Sequence, residues 1–190
     1  MSKKQTNIYK YLPVSVFDVD KIGKIGIRGK QSHSKQSSRS SYSPFSPQIA
    51  EWCMEYFLRD ASTLFDPFAG WGERHIAAKN ANKVYLGYDI SQDAVEFAKS
   101  HYNVNNILAN SLTEEIPYHD GLITCPPYWN LEKYGDKGLD RLKTWKDFLE
   151  QYEQVWKRVS EKALPGAKYC IMVGDWRKKN IFYDFTYQTE

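Results

Sequence analysis

The chain has 190 residues, 42% of them apolar and 26% charged, with a formal net charge of +3. That length and composition fit one folded domain with its own core, not a disordered chain. Neither a membrane helix of ~18 apolar residues nor a secretory signal behind Met1-Ser2-Lys3-Lys4-Gln5 can be read in it.

Cys53, Cys125 and Cys170 are odd in number and widely spaced. This argues against a disulfide framework and against a zinc site. A reducing cytoplasm, no membrane and no metal are the expectations.

The charge is unevenly spread. Residues 1–41 carry nine Lys and Arg against two Asp, whereas the remainder carries seventeen against twenty-one acidic residues. Val14, Val16 and Val19, punctuated by Gly23 and Gly26, predict a short hairpin within residues 7–27. Residues 28–43 include seven serines and bury little apolar area. Arg28, Lys30, Lys35 and Arg39 in this arm could meet phosphates, or the arm could be a solvated tail. Residues 1–43 are read as a basic arm and residues 44–190 as the catalytic domain.

From residue 44 helices and strands alternate. Ser46 is an expected N-cap with Pro47 at the first helical position. Ile49, Ala50, Trp52, Cys53, Tyr56 and Phe57 follow at helical spacing. A strand is expected at Thr63–Asp66, a helix at Gly72–Lys79 and a second strand at Val84–Tyr88. Ser91 caps the next helix, through Ala94, Val95 and Ala98. Asn106–Leu108 reads as a weak third strand and Leu122–Thr124 as a fourth. Thr144 and Asp147 form a capping-box pattern ahead of a long amphipathic helix, which Leu164-Pro165-Gly166 should end. Tyr169–Val173 is the expected fifth strand. This order predicts an α/β fold with a parallel sheet flanked by helices. Ligands in such sheets lie at the carboxyl ends of the strands.

Three loops at those ends carry candidate chemistry. After the first strand comes Asp66-Pro67-Phe68-Ala69-Gly70-Trp71-Gly72. Its glycines allow close backbone approach to a ligand. As a dinucleotide fingerprint it is poor, because His75 stands where the third glycine would be. After the second strand, Asp89 and Ile90 follow. Asp89 either accepts both hydroxyls of a ribose or serves as a charge at the next helix N-terminus. After the fourth strand comes Cys125-Pro126-Pro127-Tyr128-Trp129-Asn130. The prolines remove two N–H donors and leave carbonyl acceptors, and Tyr128 adds a rigid aromatic face. That combination suits an amino-bearing planar base, although a structural Pro-Pro turn gives the same local pattern.

Taken together, Asp66-Pro67-Phe68-Ala69-Gly70-Trp71-Gly72, Asp89 and Thr124-Cys125-Pro126-Pro127-Tyr128-Trp129 resemble the DNA amino-methyltransferases, which methylate adenine N6 or cytosine N4. The general style resembles methyltransferases carried by bacteria and phages. Ser43-Pro44-Phe45-Ser46-Pro47 resembles that family's element at the methionine end of the cofactor. The resemblance implies a Rossmann-like S-adenosylmethionine-dependent methyltransferase fold, with S-adenosylmethionine as cofactor and DNA as partner. It implies cofactor contacts from Pro44, Phe45, Ser46, Pro67, Phe68, Ala69, Gly70 and Gly72. It also implies that Asp66 faces the amino-acid moiety, that Asp89 and Ile90 lie at the ribose, and that Asn110 and Ser111 lie near adenine. Cys125, Pro126, Pro127 and Tyr128 form its catalytic loop, with Trp129 a further DNA contact.

Two departures stand out. Asn110 occupies a place where the family often has an acidic residue. Cys125 replaces Asp, Asn or Ser, and a thiol is a poorer acceptor; its size, nearest to Ser, tilts the reading slightly toward cytosine. Cys125 also precedes proline, the reverse of the Pro-Cys order of enzymes that attack cytosine C5 covalently. An RNA base methyltransferase and an inactive module that binds cofactor or DNA are the rival readings. Folds of this family have seven strands, whereas five are counted before Glu190. Gly174–Glu190 reads as an interrupted end, so target recognition is expected from a missing C-terminal segment or a partner.

Overall fold

The computed structural model describes residues 45–131 and 138–190. The expected hairpin at 7–27, the serine-rich arm with Arg28, Lys30, Lys35 and Arg39, and Pro44 all lie outside the described residues.

The elements run α1 (Pro47–Tyr56), β1 (Thr63–Asp66), α2 (Glu73–Asn80), β2 (Val84–Asp89), α3 (Gln92–Tyr102), β3 (Ile107–Leu108) and β4 (His119–Thr124). A short 3-10 turn (Leu139–Arg141) precedes α4 (Trp145–Ser160) and β5 (Ala163–Ile171). A hairpin of β6 (Trp176–Lys178) and β7 (Ile181–Tyr183) leads into α5 (Phe185–Thr189).

Strands β1 to β5 form one parallel sheet in the order β3-β2-β1-β4-β5. This is a Rossmann-like α/β fold. Beside β1 the strand order reverses, which opens a crevice at the carboxyl ends of β1 and β4. The Asp66 and Thr124 loops begin there.

Side chains alternate across the sheet because the strand period is two. Leu64 and Ile123 pack with Ala50, Leu58 and Ala77 on one face. Phe65 and Leu122 pack with Val155 and Val159 on the other. Both faces are covered, which explains the apolar runs of β1 and β4.

The capping box of α4 forms in full: Thr144 Oγ1 accepts from the Asp147 N–H at 3.1 Å, and Asp147 accepts from the Thr144 N–H at 3.2 Å. Thr144→Ala should therefore lower stability by about 1 kcal/mol in thermal denaturation. Ser91 caps α3 as expected, accepting from the Ala94 N–H.

Two expectations need correction. Leu164-Pro165-Gly166 does not lie in a loop that ends α4; the helix stops at Ser160, and these residues belong to β5. The pairing shifts between His119 and Gly121, so β5 bulges there, with Gly166 at φ +83°. An edge strand tolerates this proline because one side of its ladder is unpaired. In addition, β5 ends at Ile171, not at Val173. Gly174–Glu190 contains the β6–β7 hairpin and α5. No helix among the described residues is long and apolar enough to cross a membrane.

Candidate active site

The three loops open on one cavity of about 350 Å³. Of the residues singled out in the sequence, Phe45, Ser46, Pro67, Phe68, Gly70, Asp89, Ile90, Asn110, Ser111, Cys125, Pro127 and Tyr128 line it.

Its frame is a buried polar network under the glycine loop. Asp66 is 0% exposed. Its Oδ1 accepts from the Phe68 N–H at 3.0 Å and from Thr124 Oγ1 at 2.5 Å. Its Oδ2 accepts from Arg74 Nε and from Tyr85 OH, both at 2.6 Å. Four donors thus occupy its two oxygens, and Asp66 does not line the cavity. Its position is that of a strut joining the glycine loop, α2, β2 and the start of the Pro-Pro-Tyr loop, in place of the expected one facing the cofactor. Arg74 also donates to the Phe68 carbonyl and lies 4.9 Å from the Phe45 ring centroid. Burial works against its charge most strongly of any single cause, but Asp66, Tyr85 and Cys125 together outweigh it and raise the Arg74 pKa.

The glycines divide their work. Gly70 lines the cavity at φ +59°, and a Cβ there would meet no atom closer than 3.8 Å. Gly72, at φ +103°, is turned away; a Cβ there would come within 3.0 Å of Ala98 on α3. Ala69 is buried too, and its N–H donates to the Tyr88 carbonyl at 2.8 Å. Neither Ala69 nor Gly72 reaches the cavity, whereas Trp71, Glu73 and Arg74 do.

Asp89 stands at the end of β2 with each oxygen on a backbone donor. Oδ2 accepts from the Gly70 N–H at 2.7 Å and Oδ1 from the Ser91 N–H at 2.8 Å. Burial raises its pKa against those two hydrogen bonds. Each carboxylate oxygen keeps further lone-pair capacity. On the next wall, Asn110 Oδ1 accepts from the Leu112 N–H and Ser111 Oγ donates to the Pro67 carbonyl, each at 2.9 Å.

Cys125 and Tyr128 also line the cavity, while Pro126 is buried and does not. The C-terminal segment holds Tyr128: its ring makes edge contacts with Trp176 at 5.2 Å and with Phe185 at 5.5 Å. Trp129 is placed differently from a DNA-contacting side chain. Its Nε1 donates to the Leu142 carbonyl at 2.8 Å and its ring packs against Trp145 and Tyr183. It anchors the loop.

Ser46 is the remaining feature. It precedes α1 as the N-cap, but its side chain makes no capping bond. Among the described residues its hydroxyl has no hydrogen-bond partner, and the residue is buried at 7% exposure on the cavity wall.

No protein-family model matches the chain, and no curated protein does. Solved structures with a similar arrangement include the PH0226 protein from Pyrococcus horikoshii OT3, at 18% identity and TM-score 0.49, over 65% of this chain and 50% of that one. A second is the O-methyltransferase of a trans-AT PKS multienzyme from Brevibacillus brevis in complex with S-adenosyl-L-homocysteine, at 10% identity and TM-score 0.47, over 70% and 44%. A third is human N-acetylserotonin methyltransferase in complex with SAM, at 12% identity and TM-score 0.47, over 66% and 32%. The chain spans half or less of the length of each.

Proposed function

We propose that this chain transfers a methyl group from S-adenosylmethionine to an exocyclic amino group of a DNA base, adenine N6 or cytosine N4. The observation that carries this reading is that residues suited to the cofactor (Ser46, Gly70, Asp89) and residues of the amine-accepting loop (Cys125, Pro127, Tyr128) line one cavity.

The walls fit the cofactor. The Ser46 hydroxyl, buried and without a partner among the described residues, sits at the N-terminus of α1, where the helix dipole favours an anion such as the methionine carboxylate. Gly70 leaves room for close approach, and Asp89 offers a desolvated carboxylate to two ribose hydroxyls. Ile90, Asn110 and Ser111 would border the adenine. When bound, S-adenosylmethionine supplies an electrophilic methyl group on a sulfonium.

The protein's own task is positioning. The lone pair of an exocyclic amine is delocalised into its ring. Cys125 Sγ and the Pro126 carbonyl would accept the amine's hydrogens and turn that lone pair toward the methyl group. A base inside a duplex is out of reach, so it must be flipped out at a cost of a few kcal/mol. Stacking on Tyr128 would offset ~1–3 kcal/mol of that.

The direct test is tritiated methyl transfer to DNA and, separately, to RNA, followed by nucleoside mass spectrometry. N6-methyladenine or N4-methylcytosine in DNA is expected. Label in RNA alone would move the substrate to RNA, and cofactor binding without transfer to either would leave a binding module. Asp89→Ala should weaken S-adenosylmethionine binding by roughly tenfold or more in calorimetry, since a charged hydrogen-bond acceptor is removed. Unchanged affinity in a folded variant would remove the ribose assignment.

A further inference from the structure

The β6–β7 hairpin has two faces with different chemistry. On one face Trp176 and Tyr183 pair across the strands, stacked at 5.0 Å and 17°. That face packs on the catalytic loop through Tyr128 and Trp129. Lys178 donates to the Asn130 carbonyl, which fastens the loop a second time. On the other face Arg177 pairs with Phe182, its guanidinium 5.0 Å from the ring centroid.

The outer face and tip are solvent-facing. Arg177, Lys179 and Asn180 are exposed, Phe182 is 50% exposed and Ile181 is 56% exposed. Lys179 and Asn180 make the two-residue turn with φ of +48° and +63°, which projects Lys179 from the end of the ladder. Residues 176–183 contain three cations and no carboxylate, on a domain that is otherwise net acidic. Among the described residues, Arg177 and Lys179 have no ion-pair partner.

We infer that the outer face and tip of this hairpin contact duplex DNA beside the flipped base, with Arg177 and Lys179 on phosphates and Phe182 against the exposed sugars and bases. The inference rests on the DNA reading above and adds a surface to it. Charge complementarity names the partner: the flanking carboxylates Asp175 and Asp184 accept from Thr186 N–H and Gln188 Nε2 and pair with neither cation, and unpaired cations suit a polyanion. Position narrows it. Trp176 touches Tyr128, and three residues of strand at ~3.4 Å each carry the tip about 10 Å away. Because the inner face holds Tyr128 and the outer face meets the duplex, one rigid element would align the strand with the cavity.

The test is duplex binding by fluorescence anisotropy over a range of KCl concentrations, with wild type and the double variant Arg177→Gln/Lys179→Gln. Both side chains are exposed, so the variant should keep the wild-type melting temperature and S-adenosylmethionine affinity. Its duplex affinity at low salt should fall at least tenfold. Its slope of log K against log salt should shrink by roughly two, one for each phosphate no longer neutralised. Phe182→Ser should weaken binding several-fold without changing that slope. A double variant that binds duplex with the wild-type affinity and slope overturns the inference and leaves the DNA reading standing. A wild type that binds S-adenosylmethionine but no duplex removes both. Equal dependence on these residues for an RNA stem, with weaker DNA binding, would also overturn it.

Discussion

Arg74→Met should destabilise the protein by about 3–5 kcal/mol, the cost of removing one partner from a buried ion pair. The variant fills similar volume but leaves the Asp66 carboxylate buried at 0% exposure without its counter-charge. It also removes the donor that fixes the Phe68 carbonyl. Arg74→Lys keeps the charge but cannot donate to Asp66 and Phe68 at once from a planar fork, so an intermediate loss is expected. Because Asp66 joins Thr124 to the glycine loop, both variants should weaken cofactor binding before they unfold. Urea denaturation and calorimetry measure the two effects. A loss under ~1 kcal/mol in Arg74→Met would mean that Tyr85, Thr124 and the Phe68 N–H satisfy Asp66 without it.

The sheet was legible because its strands are short apolar runs ending at chemistry-bearing loops. Leu64-Phe65 and Leu122-Ile123 each supply both faces of a two-sided layer, so the strand centres follow from hydrophobicity, whereas β4 begins at His119, three residues before the expected Leu122. The β5 bulge was not legible. Leu164-Pro165-Gly166 carries turn chemistry, and only its edge position lets a strand absorb it. The β6–β7 hairpin was missed for the opposite reason: its turn is Lys179-Asn180, without the glycine that marks most two-residue hairpins.

Within the site, loop membership could be read but orientation could not. Gly70 and Gly72 look alike in sequence and both take positive φ, yet one faces the cavity and the other packs on Ala98. Asp66 was expected to face the ligand from the family resemblance alone. Nothing in the sequence marks Arg74, Tyr85 and Thr124 as the three side chains that saturate it. Pairing of that kind depends on the register of β1 with β2 and β4, which local pattern does not encode.

Tyr128→Ala should lower turnover roughly a hundredfold while cofactor affinity stays within a few-fold of wild type. The ring lines the cavity but is none of the residues assigned to the cofactor, so those residues survive its removal. The truncation also empties space between Trp176 and Phe185, which would loosen the aromatic cluster. Tyr128→Phe separates the effects: it keeps the ring and the packing, and it should retain most activity. Cys125 completes the test. Cys125→Ser preserves size and improves the acceptor, so activity should hold or rise. Cys125→Ala leaves only the Pro126 carbonyl, and a partial loss is expected. A covalent mechanism requires a different pattern, with both Cys125 variants dead and an adduct trapped on fluorinated cytosine. Methyl transfer and calorimetry across the four variants decide between them. Full turnover in Tyr128→Ala would remove base stacking from the mechanism and, with it, the strongest reason to place a nucleic-acid base in this cavity.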